Sequence, residues 1–221
     1  MATFSTADVE AIALRTTEDE DVSLLSRIGE PASPEESHEP GAVVFDFSDV
    51  TLDSYLQTRQ RLTGSRQAGY AWSVMIGHCG YSAKFIEQYV SQVLAAAEGF
   101  HTWCLMGGDI ELKSRLKALH DMLPADVQTR LGLDVGHWAD WAVWARNHVA
   151  HGGSKRQRFI EDSMETLAVG KSVHLVTYLV VLCKLGVPVE KIVDALNNHP
   201  RLRPMVAYCE VVNKVQGPPK L

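Results

Sequence analysis

An all-α fold is what this sequence predicts: a helical bundle of about five or six helices behind a short N-terminal extension. Two observations predict it. From about Thr51 onward, apolar residues recur at three- and four-residue spacing, the period of a helix with one buried face. Capping residues, glycines and prolines interrupt that period at short intervals, so the segments are joined by short loops.

Residues 1–40 are acidic, and "GEPASPEESHEPG" (Gly29–Gly41) is rich in Pro, Ser and Glu. Such a composition buries too little apolar surface to offset the entropy of ordering, so a partly disordered linker or loop is expected. In "AVVFDF", Val43, Val44, Phe45 and Phe47 read as one short strand. A single strand cannot stand alone, so it packs on the body or is the remnant of a larger β-rich region.

"DSYLQTRQRL" is a helix with Asp53 as its cap. "GHCG" (Gly77–Gly80) reads as a kink between two helices. "YSAKFIEQYVSQVLAAAEGFHTWCL" places Phe85, Tyr89, Val93, Ala96, Ala97 and Phe100 on one stripe and ends at Gly107–Gly108. "DIELKSRLKALHDML" starts on Asp109, a capping residue, and stops before Pro124. "ADVQTRLGL" is a short turn or helix. A helix starting near Asp134 carries Trp138, Trp141 and Trp144 every three residues, a ladder best read as core packing, and Gly152 is placed to end it. "FIEDSMETLAVGKSVHLVTYLVVLCKLG" is long and apolar enough to be the central helix. "PVEKIVDALNNH" opens on Pro188, and "RLRPMVAYCEVVNKV" is the last segment before a Gly-Pro-Pro tail. Residues 1–50 are thus an acidic extension, 51–215 the helical domain and 216–221 a tail.

A chain of 221 residues is long enough for one substantial core with an appendage. Cys79, Cys104, Cys183 and Cys209 form no CxxC pair and lie in or beside apolar runs, which points to reduced thiols. The N-terminus lacks a basic start and a long apolar region, so no signal peptide is expected. The most apolar run, "VHLVTYLVVLCKLGV", is too short to span a bilayer. A cytoplasmic location without membrane contact follows as an expectation. Residues 1–50 hold 12 acidic and 2 basic side chains; the remainder holds 15 and 19. A mildly basic body behind an acidic leader permits a polyanionic ligand.

The stretch "WARNHVAHGG" (Trp144–Gly153) carries the chemistry. Asn147 and His151 are four apart and share a helix face, with Arg146 about 100° round from Asn147. A fixed cation, an amide and an imidazole at a helix end suit cleavage of an RNA phosphodiester. Histidine titrates near neutral pH, so it can take the 2′-hydroxyl proton or return one to the leaving oxygen. The guanidinium can hold the phosphate as charge builds on it. No metal or other cofactor is called for, because the nucleophile belongs to the substrate. The following "SKRQR" adds Lys155, Arg156 and Arg158 as phosphate contacts. One histidine cannot easily serve both sides of a phosphate, so a homodimer that apposes two such helices is expected.

"RNHVAH" followed by Gly152, on a late helix of an all-α bundle, resembles the Arg-Asn-x-x-x-His signature of HEPN domains (higher eukaryotes and prokaryotes nucleotide-binding). With the long apolar helix and "LGVP" after it, the chain most resembles the ApeA-type HEPN group of bacterial anti-phage systems, over roughly Thr51 to Val215. The resemblance implies metal-independent endoribonucleases that act as dimers, with the motif of each subunit lining a shared cleft. It implies a defence or toxin-like role and a regulatory or antitoxin partner protein. It also suggests an acidic residue on an earlier helix that orients the arginine: Glu98 in "AAAEGFHTW", or more weakly Glu87. His101, on the same face as Glu98, and His148 would then join the RNA contacts. ApeA-type members carry a larger β-rich domain upstream, of which the extension would be a remnant.

Other readings stay open. The domain could be a catalytically silent HEPN module that binds RNA, nucleotide or a partner protein, or a plain helical scaffold. His148 and His151 have a spacing that Zn²⁺ can use, but no HExxH accompanies them. His78 and Cys79 would need spatial proof to act as a nucleophilic pair. His137, His174 and His199 read as caps or core fillers, and His120 as a helix-end residue held by the dipole.

Overall fold

The structure is a computed structural model. It describes residues 12–15, 21–24, 44–45, 48–80, 85–151 and 163–215, with the backbone alone at 12–15, 21–24, 76–80, 149–151 and 163. The described chain is a helical bundle with one small hairpin, β1 (Ile12–Arg15) paired antiparallel with β2 (Asp21–Leu24), Ile12 opposite Leu24. The strand expected at residues 43–47 is not formed at its described residues. Val44 and Phe45 are a bend and an irregular position, both buried in the helical core. With no neighbouring strand to pair with, their apolar side chains are satisfied by the bundle instead.

Nine α-helices stand among the described residues, more than the five or six expected, because several short pieces are separate elements. The first, α1 (Leu52–Leu62), is capped by Thr51, whose hydroxyl accepts from Ser54 N at 3.2 Å. Asp53, expected to cap, instead accepts from Gln57 one turn on at 3.0 Å. Helix α2 (Arg66–Gly80) starts behind Ser65, which accepts from Ala68 N at 3.0 Å. Gly77–Gly80 form its last turn rather than a kink. Helix α3 (Ile86–Gly99) runs into a π-helical turn, Phe100–Cys104.

Helix α4 (Leu112–Asp121) begins after Glu111, not at Asp109. Helix α5 (Ala125–Leu131) ends on Gly132, whose φ of 60° lies in the left-handed region that glycine adopts without strain. Helix α6 (Val135–His151) starts with Asp134 accepting from His137 N at 3.1 Å. Then come α7 (Ser163–Leu185), α8 (Val189–Asn198) behind Pro188, and α9 (Leu202–Lys214). His199 caps α9, its Nδ1 accepting from the amides of Arg201 and Leu202 at 3.1 and 3.3 Å.

Helix α7 is the axis of the bundle and packs against α1, α3, α4, α6, α8 and α9. Val173, Leu175, Val176, Leu179 and Val180 lie on different sides of it and are all fully buried, which is why its sequence shows little amphipathic stripe. The stretch Met164–Leu185 is long and apolar enough to cross a membrane, longer than the run singled out in the sequence. It is enclosed, with 83% of its most apolar window buried inside the fold. Its approach to α3 is set by Gly170, where a Cβ would stand 2.9 Å from Val90 Cγ2. The tryptophan ladder of α6 is core, as expected. Trp138, Trp141 and Trp144 are all buried, and Trp138 Nε1 donates to Ser172 Oγ on α7 at 2.9 Å.

Candidate active site

The elements α3 and α6 pack against each other, and their last turns carry the candidate site. Of the α6 faces, one is fixed in the core by Trp138, Ala142 and Ala145. The helical repeat then sends Arg146 outward, since it follows Ala145 by about 100°. Its side chain is 51% exposed. From α3, Glu98 reaches across so that its Oε1 lies 3.3 Å from Arg146 Nε. Glu98 is about three-quarters buried, so the carboxylate is the more constrained partner. An ion pair this exposed contributes at most about 1 kcal/mol to stability. Its structural consequence is orientation: the Nε edge of the guanidinium is turned to Glu98, which leaves the terminal nitrogens for an anion. Glu87, the weaker acidic candidate, lies in the first turn of α3, about three turns from Glu98.

Asn147 follows Arg146 and is half-buried. The backbone of α6 remains helical to His151, so His151 lies one turn beyond Asn147 in register. The side chain of His151, and all of Lys155, Arg156 and Arg158, lie outside the described residues, as does Gly152. His148 is half-buried, and its ring stacks on Trp144 one turn earlier, with centroids 4.6 Å apart and planes 14° from parallel. That stacking makes His148 a wall of the helix end.

His101 departs from its expected role. The sequence places it on the RNA surface with Glu98, but its side chain is 2% exposed. Residues 100–104 form a wider π turn in which Leu105 N donates to Phe100 O at 3.1 Å. The following loop closes over the ring: Gly107 N donates to His101 O at 3.0 Å, and a Cβ at Gly107 would lie 1.9 Å from His101 Cε1. His101 Nδ1 has no hydrogen-bond partner among the described residues. Burial, and secondarily the Arg115 cation, hold its pKa below the usual histidine value.

Arg115 is a residue that the sequence did not single out. Buried on α4, it donates to Thr102 Oγ1, to Gly108 O at 3.1 Å and to Asp109 Oδ1 at 2.9 Å. Asp109, expected as a cap, is therefore taken up as its counter-ion. The guanidinium thereby ties the π turn to the loop that follows. Nothing local in the sequence marks this arginine, because its partners are defined only when α4 folds back on the end of α3.

The other titratable groups are structural. His120 is buried, and burial lowers its pKa, so it is not a charged helix-end residue held by the dipole. His174 meets the Tyr89 hydroxyl at 3.0 Å, and Lys171 lies 4.4 Å from the centroid of the Tyr89 ring. Cys104 and Cys209 are buried free thiols whose pKa values are pushed up by burial to about 11 and about 12. Among the described residues no group of three or more His, Cys, Asp or Glu side chains is arranged to hold a metal ion.

No curated protein and no solved structure matches the chain. The family model described as Apea-like HEPN matches residues 71–191, which is more than half of the chain and runs from α2 through the first turn of α8. That span contains the Arg146–Glu98 pair, the complete "RNHVAH" helix end and the central apolar helix, and on it the chain belongs to the Apea-like HEPN family.

Proposed function

We propose that this protein is a metal-independent endoribonuclease that works as a homodimer, each subunit contributing Arg146, Asn147 and His151 to a shared cleft. The observation that carries the reading is the Arg146–Glu98 pair: an outward guanidinium braced by a carboxylate, on the helix turn that precedes His151, in a chain of the Apea-like HEPN family. Family and fold alone do not establish an activity, so the reading rests on that constellation.

In the proposed reaction one His151 imidazole takes the proton of a ribose 2′-hydroxyl. The 2′-oxygen attacks the adjacent phosphorus, the P–O2′ bond forms and the P–O5′ bond breaks. The second copy of the motif returns a proton to the departing 5′-oxygen. Arg146 stabilises the charge that accumulates on the non-bridging oxygens. The products are a cyclic 2′,3′-phosphate and a 5′-hydroxyl. Cutting of this kind suits a role in anti-phage defence or as a toxin-like effector.

The test is incubation of the wild type and the His151→Ala variant with mixed cellular RNA, followed by end-group analysis. Cyclic phosphate ends formed by the wild type in EDTA, and absent with His151→Ala, support the reading. A requirement for added Mg²⁺ or Zn²⁺ would overturn the mechanism. Intact RNA at enzyme excess would leave a silent binding module.

A further inference from the structure

Beside the Arg146–Glu98 pair, α2 and α3 leave a groove of about 500 Å³. Its floor is made of small residues, Ala71, Ala96 and Gly99, and the helices come so close that a Cβ on Gly99 would lie 3.3 Å from the Ala71 Cβ. Its walls carry two aromatic rings that the core does not use: Tyr70 is 73% exposed and Trp103 47%. Gly99, which lines the groove, follows Glu98 on α3, so the groove and the carboxylate that braces Arg146 share the end of one helix.

Trp103 is held outward by its neighbours. Thr102 donates to Glu98 O at 2.9 Å and receives Arg115, while Cys104 Sγ donates to Ala68 O at 3.4 Å. With both flanking side chains tied inward on the π turn, the indole between them faces the groove. Arg66 and Gln67 also line it, exposed, and among the described residues Arg66 has no ion-pair partner. Arg66 is the charged side chain among those that line it.

Exposed aromatic faces over a shallow floor, with a cation at the rim, are the combination that takes a base by stacking and its phosphate by charge. We propose that this groove is a base-binding subsite for single-stranded RNA: a nucleobase stacks on Trp103 and Tyr70, and the adjoining phosphate meets Arg66. The inference rests on the ribonuclease reading, since it places the strand beside the proposed scissile site. A second copy of the chain is the poorer occupant, because apposing this groove with itself brings two Arg66 cations together.

The test uses the full chain and a short fluorescein-labelled 2′-O-methyl RNA of mixed sequence, which lacks the nucleophile and cannot be cut. Trp103→Ala and Tyr70→Ala should each weaken its binding by about five- to a hundredfold, the range for losing one base–aromatic stack. Arg66→Gln should lower the slope of log affinity against log salt by about one. The thermal midpoints of the groove variants should match the wild type, since all three side chains are exposed. A 4-thiouridine RNA should crosslink to the peptides carrying residues 66–74 and 95–103. Wild-type affinity in both aromatic variants, with cleavage intact, would overturn the groove and leave the ribonuclease reading standing. Binding that falls as expected while no RNA is ever cut would overturn the ribonuclease reading alone. If Trp103→Ala changes the sedimentation of the protein and not its RNA affinity, the groove belongs to a second copy and the proposal fails.

Discussion

The Nε of Arg146 lies 3.3 Å from Oε1 of Glu98, so the outer face of α6 is tied to the end of α3 by a pair that leaves the guanidinium half in solvent. An arginine in that position is held in one direction at little energetic consequence to the fold. Its value lies in geometry, and the first prediction follows from that.

Glu98→Gln should reduce RNA cleavage by roughly ten- to a hundredfold, the cost of a misplaced catalytic group, while changing stability by less than about 1 kcal/mol. Arg146→Lys should lose at least as much activity, because a lysine cannot present a fork to both the carboxylate and a phosphate. Cleavage rates measured beside urea melts separate the two effects. A Glu98→Gln protein with full activity would remove the bracing role.

His101 and His120 are buried, and both titrate below the ordinary histidine value. The unfolded chain therefore binds more protons than the native one as pH drops through about 6.5, so stability is full above that value and falls below it. Urea midpoints measured from neutral to mildly acidic pH should decline on the acid side. His120→Gln should flatten part of the decline. A midpoint that rises toward acid would contradict the burial of both rings.

Gly107→Ala should destabilise the protein by about 1–3 kcal/mol or more, because the added methyl overlaps the His101 ring, which is enclosed and has little room to withdraw. Gly108→Ala is the useful comparison. Its Cβ meets nothing within 4 Å, but its φ of 73° adds backbone strain of about 1 kcal/mol. Denaturant melts should rank Gly107→Ala as the more damaging.

Cys104 and Cys209 should resist thiol reagents at neutral pH in the native protein, since burial both hides the sulfurs and raises their pKa values to about 11 and about 12. Labelling followed by peptide mapping should find them modified only when unfolding has begun. Rapid native modification of Cys209 would place α9 off the core.

Much of this architecture was legible from local pattern. Trp138, Trp141 and Trp144 declared a buried face by their spacing, and Asp134 and Pro188 marked helix starts through chemistry that acts within one turn. Val44 and Phe45 misled because an apolar run has the same appearance whether it joins a sheet or plugs a bundle. His101 misled because the loop at Gly107 that encloses its ring lies beyond its own helical turn.

Taken alone, then, the amino-acid order determined the helical class, the central apolar helix and the "RNHVAH" helix end, because periodicity and capping are written over a few neighbouring residues. Tertiary structure decided which distant groups meet: Glu98 with Arg146, Arg115 with the π turn, and Trp103 with Tyr70 along one groove. Those meetings depend on how close two helices approach and how each is rotated. These are set by the summed packing of small residues such as Gly99 and Gly170, and no short stretch of sequence encodes that sum.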